Sequence, residues 1–300
     1  MTRNPAVGFI GFGEAGSHIA RGLRSAGVER IFAFDIATHS PDFGPGIQQH
    51  AKESQTRLAA SPQELAQSAE ILISAVTASS ALDAAKQTVP FLGASHMYAD
   101  INSVSPALKG EIAQVIGTSA TGFIEAAVMA PVPPYGHRVP MLLNGSSAAQ
   151  FAEALAPFGM KFEILSGKIG TAAAVKMCRS IVVKGLEALL FECVLSASRF
   201  DAEDRVFASL NESFPGIDWK KLANYMVGRV VVHGERRAHE MEEVSETLRS
   251  IGIEPIMAEA AARRQAWCAE LGLRKHFGSD GPKSYEEVTR LINSLVTEEK

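Results

Sequence analysis

Two groups of residues in this 300-residue chain have types and spacing suited to chemistry. The first is the run Val7-Gly-Phe-Ile-Gly-Phe-Gly-Glu-Ala-Gly16, in which Gly11, Gly13 and Gly16 are spaced G-x-G-x-x-G. Between a strand and a helix, such a turn holds a pyrophosphate. The first glycine permits the tight turn, the second lets phosphates approach the backbone, and the third lets the helix pack closely. Gly11, Phe12, Gly13, Glu14, Ala15 and Gly16 are therefore candidates for binding a dinucleotide. Asp35 follows the apolar run Ile31-Phe-Ala-Phe34, nineteen residues beyond Gly16, where a carboxylate accepts ribose hydroxyls. A carboxylate there repels a 2′-phosphate, and Ile36-Ala-Thr-His-Ser40 supplies no arginine to neutralise one. NAD is thus expected over NADP, with Thr38, His39 and Ser40 left as polar groups that could still meet a phosphate. Thr77, just past the apolar run 71–76, completes the candidate cofactor set.

The second group lies in the long apolar stretch that begins at Thr171. At 100° per residue, Lys176, Arg179, Ser180, Lys184 and Glu187 fall within one sector of roughly 140° on a helix whose other faces are mostly apolar. A narrow polar stripe on a buried helix must face water, a partner or a ligand, because unpaired charge is costly in a dry interior. Two environments satisfy this: a ligand-bearing cleft, or an internal ion network such as Lys184 with Glu187. The dinucleotide turn upstream favours the cleft. A lysine there suits hydride transfer at an alcohol carbon, since a proton must leave or reach the oxygen as hydride moves. Arg179 and Lys184 crowd Lys176 with positive charge, which favours a lowered pKa, while Glu187 opposes it.

These groups need elements to position them. Ala6–Ile10, Ile31–Phe34, Ile71–Val76, Met97–Ile101 and Gly122–Val128 read as strands, alternating with helical stretches such as Ser17–Ala26, Ser79–Phe91 and Pro106–Ile116. That alternation predicts an α/β, Rossmann-type, mostly parallel sheet. Met141–Leu143, Ala148–Ala156 and Lys161–Leu165 continue it. From Thr171 to about Phe200 a single helix is expected, and beyond it helices with breaks near Phe214–Asp218, Gly252–Pro255 and Gly278–Pro282. Residues 1–166 are accordingly expected to form the dinucleotide-binding domain, and 167–300 an all-helical domain for substrate and dimerisation.

Composition excludes several alternatives. The formal net charge of −4 gives no reason to expect a nucleic-acid partner or an anionic membrane surface. No apolar run reaches the ~18 residues of a membrane-spanning helix. Met1–Pro5 lacks the layout of a signal peptide, and three scattered cysteines, Cys178, Cys193 and Cys268, form neither a disulfide framework nor a zinc motif. A cytoplasmic protein with no metal is expected. The all-round apolar character of the long helix points to a homodimer.

Four segments, Gly8-Phe-Ile-Gly-Phe-Gly-Glu-Ala-Gly16, Asp100-Ile-Asn-Ser-Val-Ser-Pro106, Gly122-Phe-Ile-Glu-Ala-Ala-Val128 and Gly167-Lys-Ile-Gly-Thr-Ala-Ala-Ala-Val-Lys176, together carry a resemblance. In order and spacing the chain resembles the β-hydroxyacid dehydrogenase superfamily, the group of 3-hydroxyisobutyrate and 6-phosphogluconate dehydrogenases. The resemblance implies that Lys176 is the general acid/base and that residues following Asp100 bind substrate beside the nicotinamide, which nominates Asn102 and Ser103, with Ser180 one turn beyond the lysine. Three departures stand out. Asn102 replaces a usual serine, Ser180 a usual asparagine, and Met129-Ala-Pro131 with Val132-Pro-Pro-Tyr-Gly-His137 a Ser-Gly-Gly substrate loop. The last hundred residues resemble a phosphogluconate-dehydrogenase-like branch carrying a segment like His233-Gly-Glu-Arg-Arg-Ala-His-Glu-Met241. There Arg236 and Arg237 would hold an anionic substrate, but a charged surface helix end is the favoured reading. The spacing of His233 and His239 does not fit metal ligands on one helix face.

The expected function is thus NAD(P)-dependent hydride exchange with a small hydroxy-acid-like alcohol. Two alternatives share the fold. One is imine reduction, against which an intact lysine argues, and the other is a non-catalytic dinucleotide-binding protein, which would have no use for a base.

Overall fold

The computed structural model describes residues 4–278 and 281–298, the side chains of 296–298 excepted. The chain divides into two compact units, Met1–Lys176 and Met177–Lys300. In the first, the elements run β1 (Ala6–Ile10), α1 (Glu14–Ser25), β2 (Arg30–Phe34), α2 (Gly44–Glu53), β3 (Arg57–Leu58), α3 (Pro62–Ser68), β4 (Ile71–Ser74), α4 (Ala81–Thr88), β5 (Met97–Asp100), α5 (Pro106–Gly117), β6 (Gly122–Val128), α6 (Val132–Tyr135), β7 (Pro140–Asn144), α7 (Ala148–Leu155) and β8 (Lys161–Ile164). The last element, α8 (Thr171–Ala197), begins in this unit and continues into the second.

Among the described residues the sheet has the order β3-β2-β1-β4-β5-β6-β7-β8, parallel throughout except at β6–β7. The mostly parallel Rossmann sheet expected from the alternating pattern is the sheet observed. Strands in its middle are covered on both sides, so both alternating sets of side chains are apolar. On β1, Val7 and Phe9 join the core under α1, α2 and α7, whereas Ala6 and Ile10 join the core under α3, α4 and α5. The chain turns outward in opposite directions from β1 and β4, and in such sheets ligands lie at the carboxyl ends of the strands flanking that reversal. Three elements of this unit escaped the sequence reading. β3 is only two residues long, too short for any periodicity, α2 buries just Gly44, Ile47 and Ala51, and α6 is a single four-residue turn within what reads as a loop.

The segment after β6 folds back onto α1. Val132 and Val139 join the core there, and a Cβ on Gly22 of α1 would collide with the His137 ring. Burial, followed by the Arg138 charge, lowers the His137 pKa below its ordinary value.

The second unit comprises the rest of α8 with α9 (Glu203–Ser213), α10 (Trp219–Ser250), α11 (Ile256–Glu270), α12 (Arg274–Phe277) and α13 (Tyr285–Glu298). Among the described residues this half has the all-helical character expected of it. Its main core joins Leu190, Phe191 and Val194 of α8 to Trp219, Val227 and Val230 of α10 and to Tyr285, Val288 and Ile292 of α13. Within α10, His233 has φ −128° and ψ 15°, a break in the helix that periodicity did not signal. Of the break expected at Gly278–Pro282, residues 279 and 280 lie outside the described residues. Among the described residues no helix is long and apolar enough to cross a membrane.

Candidate functional site

The glycine turn joins β1 to α1 at the reversal point of the sheet. Gly11 has φ +84°, and a Cβ there would lie 2.6 Å from the Ala75 carbonyl at the exit of β4, so any larger residue would be strained and obstructed. A Cβ on Gly16 would meet the Gly11 carbonyl at 2.8 Å, which ties the first turn of α1 to the loop. Gly13 differs, since nothing lies within 4 Å of where its Cβ would be. It is also the N-cap of α1 and supplies no side-chain cap, so the first N–H groups of a twelve-residue helix point past an open position. That cradle fits a pyrophosphate, whose charge also favours a helix N-terminus. Phe12 is wholly buried in the core and offers only backbone to a ligand, while Glu14 is exposed and Ala15 half-buried at the start of α1.

Asp35 stands beside this loop at the end of β2. Its Oδ2 accepts the Phe12 N–H at 2.7 Å and its Oδ1 the Ala37 N–H at 2.8 Å. The carboxylate thus braces the glycine turn while remaining half-buried at the strand end.

The exits of β4 and β5 are locked together by Asn102. Its Oδ1 accepts the Val76 N–H at 2.7 Å, its Nδ2 donates to Ser74 Oγ at 2.9 Å, and its own N–H goes to Asp100 Oδ1 at 2.9 Å. With both ends of its amide engaged, the buried Asn102 clamps the two strand exits, and the exposed neighbour is Ser103. Thr77, also exposed, caps the short turn after β4 and donates its hydroxyl to Ser80 Oγ at 2.9 Å.

Ser103 meets Lys176. The lysine Nζ donates to Ser103 Oγ at 2.5 Å, bridging 73 positions of sequence. Three anchors on α8 make that possible. A Cβ on Gly170, which has φ +100°, would strike the Pro106 carbonyl at 2.9 Å, so the start of α8 rests directly on the start of α5. Ala172 packs against Ala127 of β6 and Leu142 of β7. Glu125, a fully buried carboxylate on β6, accepts the Gly170 N–H and the Ala173 N–H at 2.7 Å each. A carboxylate reaching from the sheet therefore caps the helix that presents Lys176. Charge-assisted bonds of this kind contribute about 1.5–3 kcal/mol each.

Beside Glu125, Lys109 of α5 is as deeply buried as Asp100. Its Nζ donates to the Asp100 carbonyl at 2.7 Å and lies 3.3 Å from Asp100 Oδ1. Burial lowers the Lys109 pKa, opposed by the charges of Asp100 and Glu125. Sequence reasoning assigned no role to Glu125 or Lys109. A signal was present, because a lone carboxylate inside the apolar run Gly122–Val128 must find a partner once both faces of that strand are covered.

Of the remainder of the polar stripe on α8, Arg179 is exposed, while Ser180, Lys184 and Glu187 form the internal network that is the competing reading. Ser180 is buried and its hydroxyl accepts from Lys184 Nζ at 3.0 Å, and Lys184 pairs with Glu240 at 2.8 Å. Ser180 was expected to orient substrate, but its hydroxyl sits within this network. Glu187, with no exposed surface, takes Arg237 Nη1 at 2.6 Å and Arg229 Nε at 3.1 Å. Burial pushes the Glu187 carboxyl up to about 7, with Arg229 and Lys184 pulling the other way. Arg237 is consequently interior. Arg236 pairs with Glu240 at 2.6 Å and His239 with Glu242 at 3.0 Å, both on exposed surface, as expected of a charged helix face. Among the described residues no group of three or more His, Cys, Asp or Glu is arranged to hold a metal.

Comparison with known proteins adds an independent line. The NAD binding domain of 6-phosphogluconate dehydrogenase matches residues 6–155, and a domain of unknown function (DUF1932) matches residues 197–268. A conserved hypothetical protein from Sinorhizobium meliloti 1021 is 37% identical, with 88% of each chain covered and a TM-score of 0.77. A conserved protein of unknown function, described as structurally similar to 3-hydroxyacid dehydrogenases, is 30% identical over 90% of this chain and 98% of its own, with a TM-score of 0.75. A 3-hydroxyisobutyrate dehydrogenase from Mycobacterium tuberculosis, described with L-serine, has a TM-score of 0.74 over 96% of this chain and 99% of its own. Its identity is 16%, so that likeness is one of fold.

Proposed function

Since the chain belongs to the family built on the NAD binding domain of 6-phosphogluconate dehydrogenase, we propose that it is a nicotinamide-dependent oxidoreductase that exchanges hydride with a small hydroxy-acid-like alcohol, with Lys176 as general acid and base. The observation that carries the reading is the Lys176–Ser103 hydrogen bond. It sets an amine beside the exit of β5, and Asn102 ties that exit to the β4 exit against which Gly11 packs.

The Gly11–Gly16 turn and the N-terminus of α1 would hold the pyrophosphate, with Gly13 as the open position. Asp35 would accept the ribose hydroxyls, and its charge supports NAD over NADP. Thr77 would border the cofactor from the β4 side. The nicotinamide, when bound, supplies or accepts the hydride. In the reducing direction the Lys176 ammonium donates a proton to the carbonyl oxygen of the substrate, and in the oxidising direction the neutral amine removes it from the alcohol. Ser103 accepts from Lys176 through Oγ and has its own hydroxyl hydrogen for the oxygen or carboxylate of the substrate. Asn102 acts one step removed, by fixing Ser103 in place.

The test is turnover across hydroxy acids and polyols with NAD and NADP, a cyclic imine included, in the wild type and in Lys176→Met. Substitution should lower kcat by about 10²–10⁴ while dinucleotide affinity persists. Unchanged turnover in Lys176→Met would remove the residue from this role. Reduction of the imine alone would shift the substrate to C=N, and dinucleotide binding without any turnover would leave a binding protein.

A further inference from the structure

The N-terminal half of α10 borders a hollow of about 480 Å³ in the second unit. Lys221, Tyr225, Arg229 and His233 line it from one face of that helix, and Lys283 lines it from the segment before α13. Lys221 and His233 are twelve residues apart, so the helical floor is roughly 18 Å long. A Cβ on Gly281 would lie 2.7 Å from Val232 Cγ2, which keeps the segment bearing Lys283 close over the helix.

Among the described residues lining the hollow there is no carboxylate. Three acids touch its lining residues: Glu187 holds Arg229 Nε from the interior at 3.1 Å, Asp218 accepts the backbone N–H of Lys221 at 2.9 Å, and Glu287 accepts the backbone N–H of Lys283 at 3.0 Å. Arg229 also donates through Nη1 to Tyr225 Oη at 2.7 Å and lies over that ring at 5.2 Å, so its guanidinium is held in one orientation. Arg236, Arg229 and Arg274 all add positive potential at His233, with Glu240 opposing them. Three permanent cations converging on one volume is not what average composition gives in a chain of net charge −4. Glu187 compensates Arg229 from the interior, which leaves the Lys221 and Lys283 ammonium groups as the like charges that an anion in the hollow would relieve.

We propose that this hollow binds a small phosphorylated molecule through Lys221, Arg229 and Lys283. The volume lies within the range of small-molecule sites. A planar guanidinium fixed by Glu187 and Tyr225 supplies directed donors, and two flexible ammonium groups supply charge, a combination suited to phosphate oxygens. None of these residues belongs to the glycine turn or to the Lys176 group, so the inference stands independently of the dehydrogenase reading.

Pyrophosphate is a suitable probe, measured by titration calorimetry on the full chain at low salt. Because the glycine turn is a second place for pyrophosphate, the titration is run in Gly13→Asp, where the side chain has open space and its charge repels the probe. Pyrophosphate should still bind there, and adding Lys221→Glu and Lys283→Glu should weaken it by about tenfold or more. Both lysines are exposed, so these changes leave the core untouched, and Lys221→Gln with Lys283→Gln repeats the test without charge reversal. Loss of all binding in Gly13→Asp alone, or equal affinity with and without the lysine changes, would overturn the proposal.

Discussion

Glutamine in place of Glu125 isolates the contribution of one buried carboxylate to the placement of Lys176. The two oxygens of Glu125 accept the Gly170 and Ala173 N–H groups at 2.7 Å each. Glutamine keeps one acceptor and turns an NH2 toward the other N–H, so one charge-assisted bond is lost and two donors face each other. At about 1.5–3 kcal/mol for the lost bond, with part of the favourable interaction with the helix N-terminus gone as well, the cost is about 3 kcal/mol. That is survivable against a typical stability of about 5–15 kcal/mol, and corresponds to a drop in Tm of about 6–12 °C. The start of α8 would be held less tightly against β6, and a misplacement of about 1 Å of an acid/base group costs up to about 10²-fold in rate. Thermal unfolding, dinucleotide titration and turnover distinguish the outcomes. The expectation is a lower Tm, unchanged dinucleotide affinity, and a fall in kcat larger than any change in KM. A Tm within about 2 °C of wild type would refute the capping role itself, whatever the activity.

Three further outcomes follow from the geometry. Asp35→Asn should weaken NADH binding about tenfold and leave NADPH little affected, as measured by nucleotide fluorescence; equal losses for both would point to collapse of the loop that Asp35 braces. The depressed His137 pKa means the unfolded chain binds the proton more readily between the ordinary value of 6.5 and the folded one. Stability should therefore decline as pH falls below 6.5, and this slope should flatten in His137→Gln when Tm is followed from pH 7 to pH 5. Val175, Val182 and Leu189 recur every seven residues on α8 with 42%, 69% and 57% of their surface exposed. If a second copy covers them, light scattering will give twice the 32.0 kDa chain mass, and Val182→Glu will reduce it to one; a wild-type monomer would exclude that contact.

The fold was legible wherever long-range order leaves a local trace. Alternating apolar strands, the turn at Gly11–Gly16 and the apolar length of α8 each announce themselves within a window of about twenty residues. The Lys176–Ser103 pair was legible only through four motifs read together, since periodicity says nothing of residues 73 positions apart. Asn102 and Ser180 show the limit most clearly. Their types suit substrate binding, but what each side chain touches depends on Val76, Ser74 and Lys184, and no local rule reports whether a polar group is already engaged. The polar stripe on α8 likewise holds two different answers, Lys176 beside Ser103 and Ser180 to Glu187 in an ion network, and its angular width is the same for both.

The close seating of His137 on Gly22 has a consequence for how this chain tolerates change. The two positions, 115 apart in sequence, occupy what is in effect a single volume. Alanine at 22 would evict the imidazole and pull the 132–139 segment off its helix, whereas a small residue at 137 would leave a void that a methyl group at 22 could fill. Neither site should drift alone in related sequences, and bulk gained at one should accompany bulk surrendered at the other.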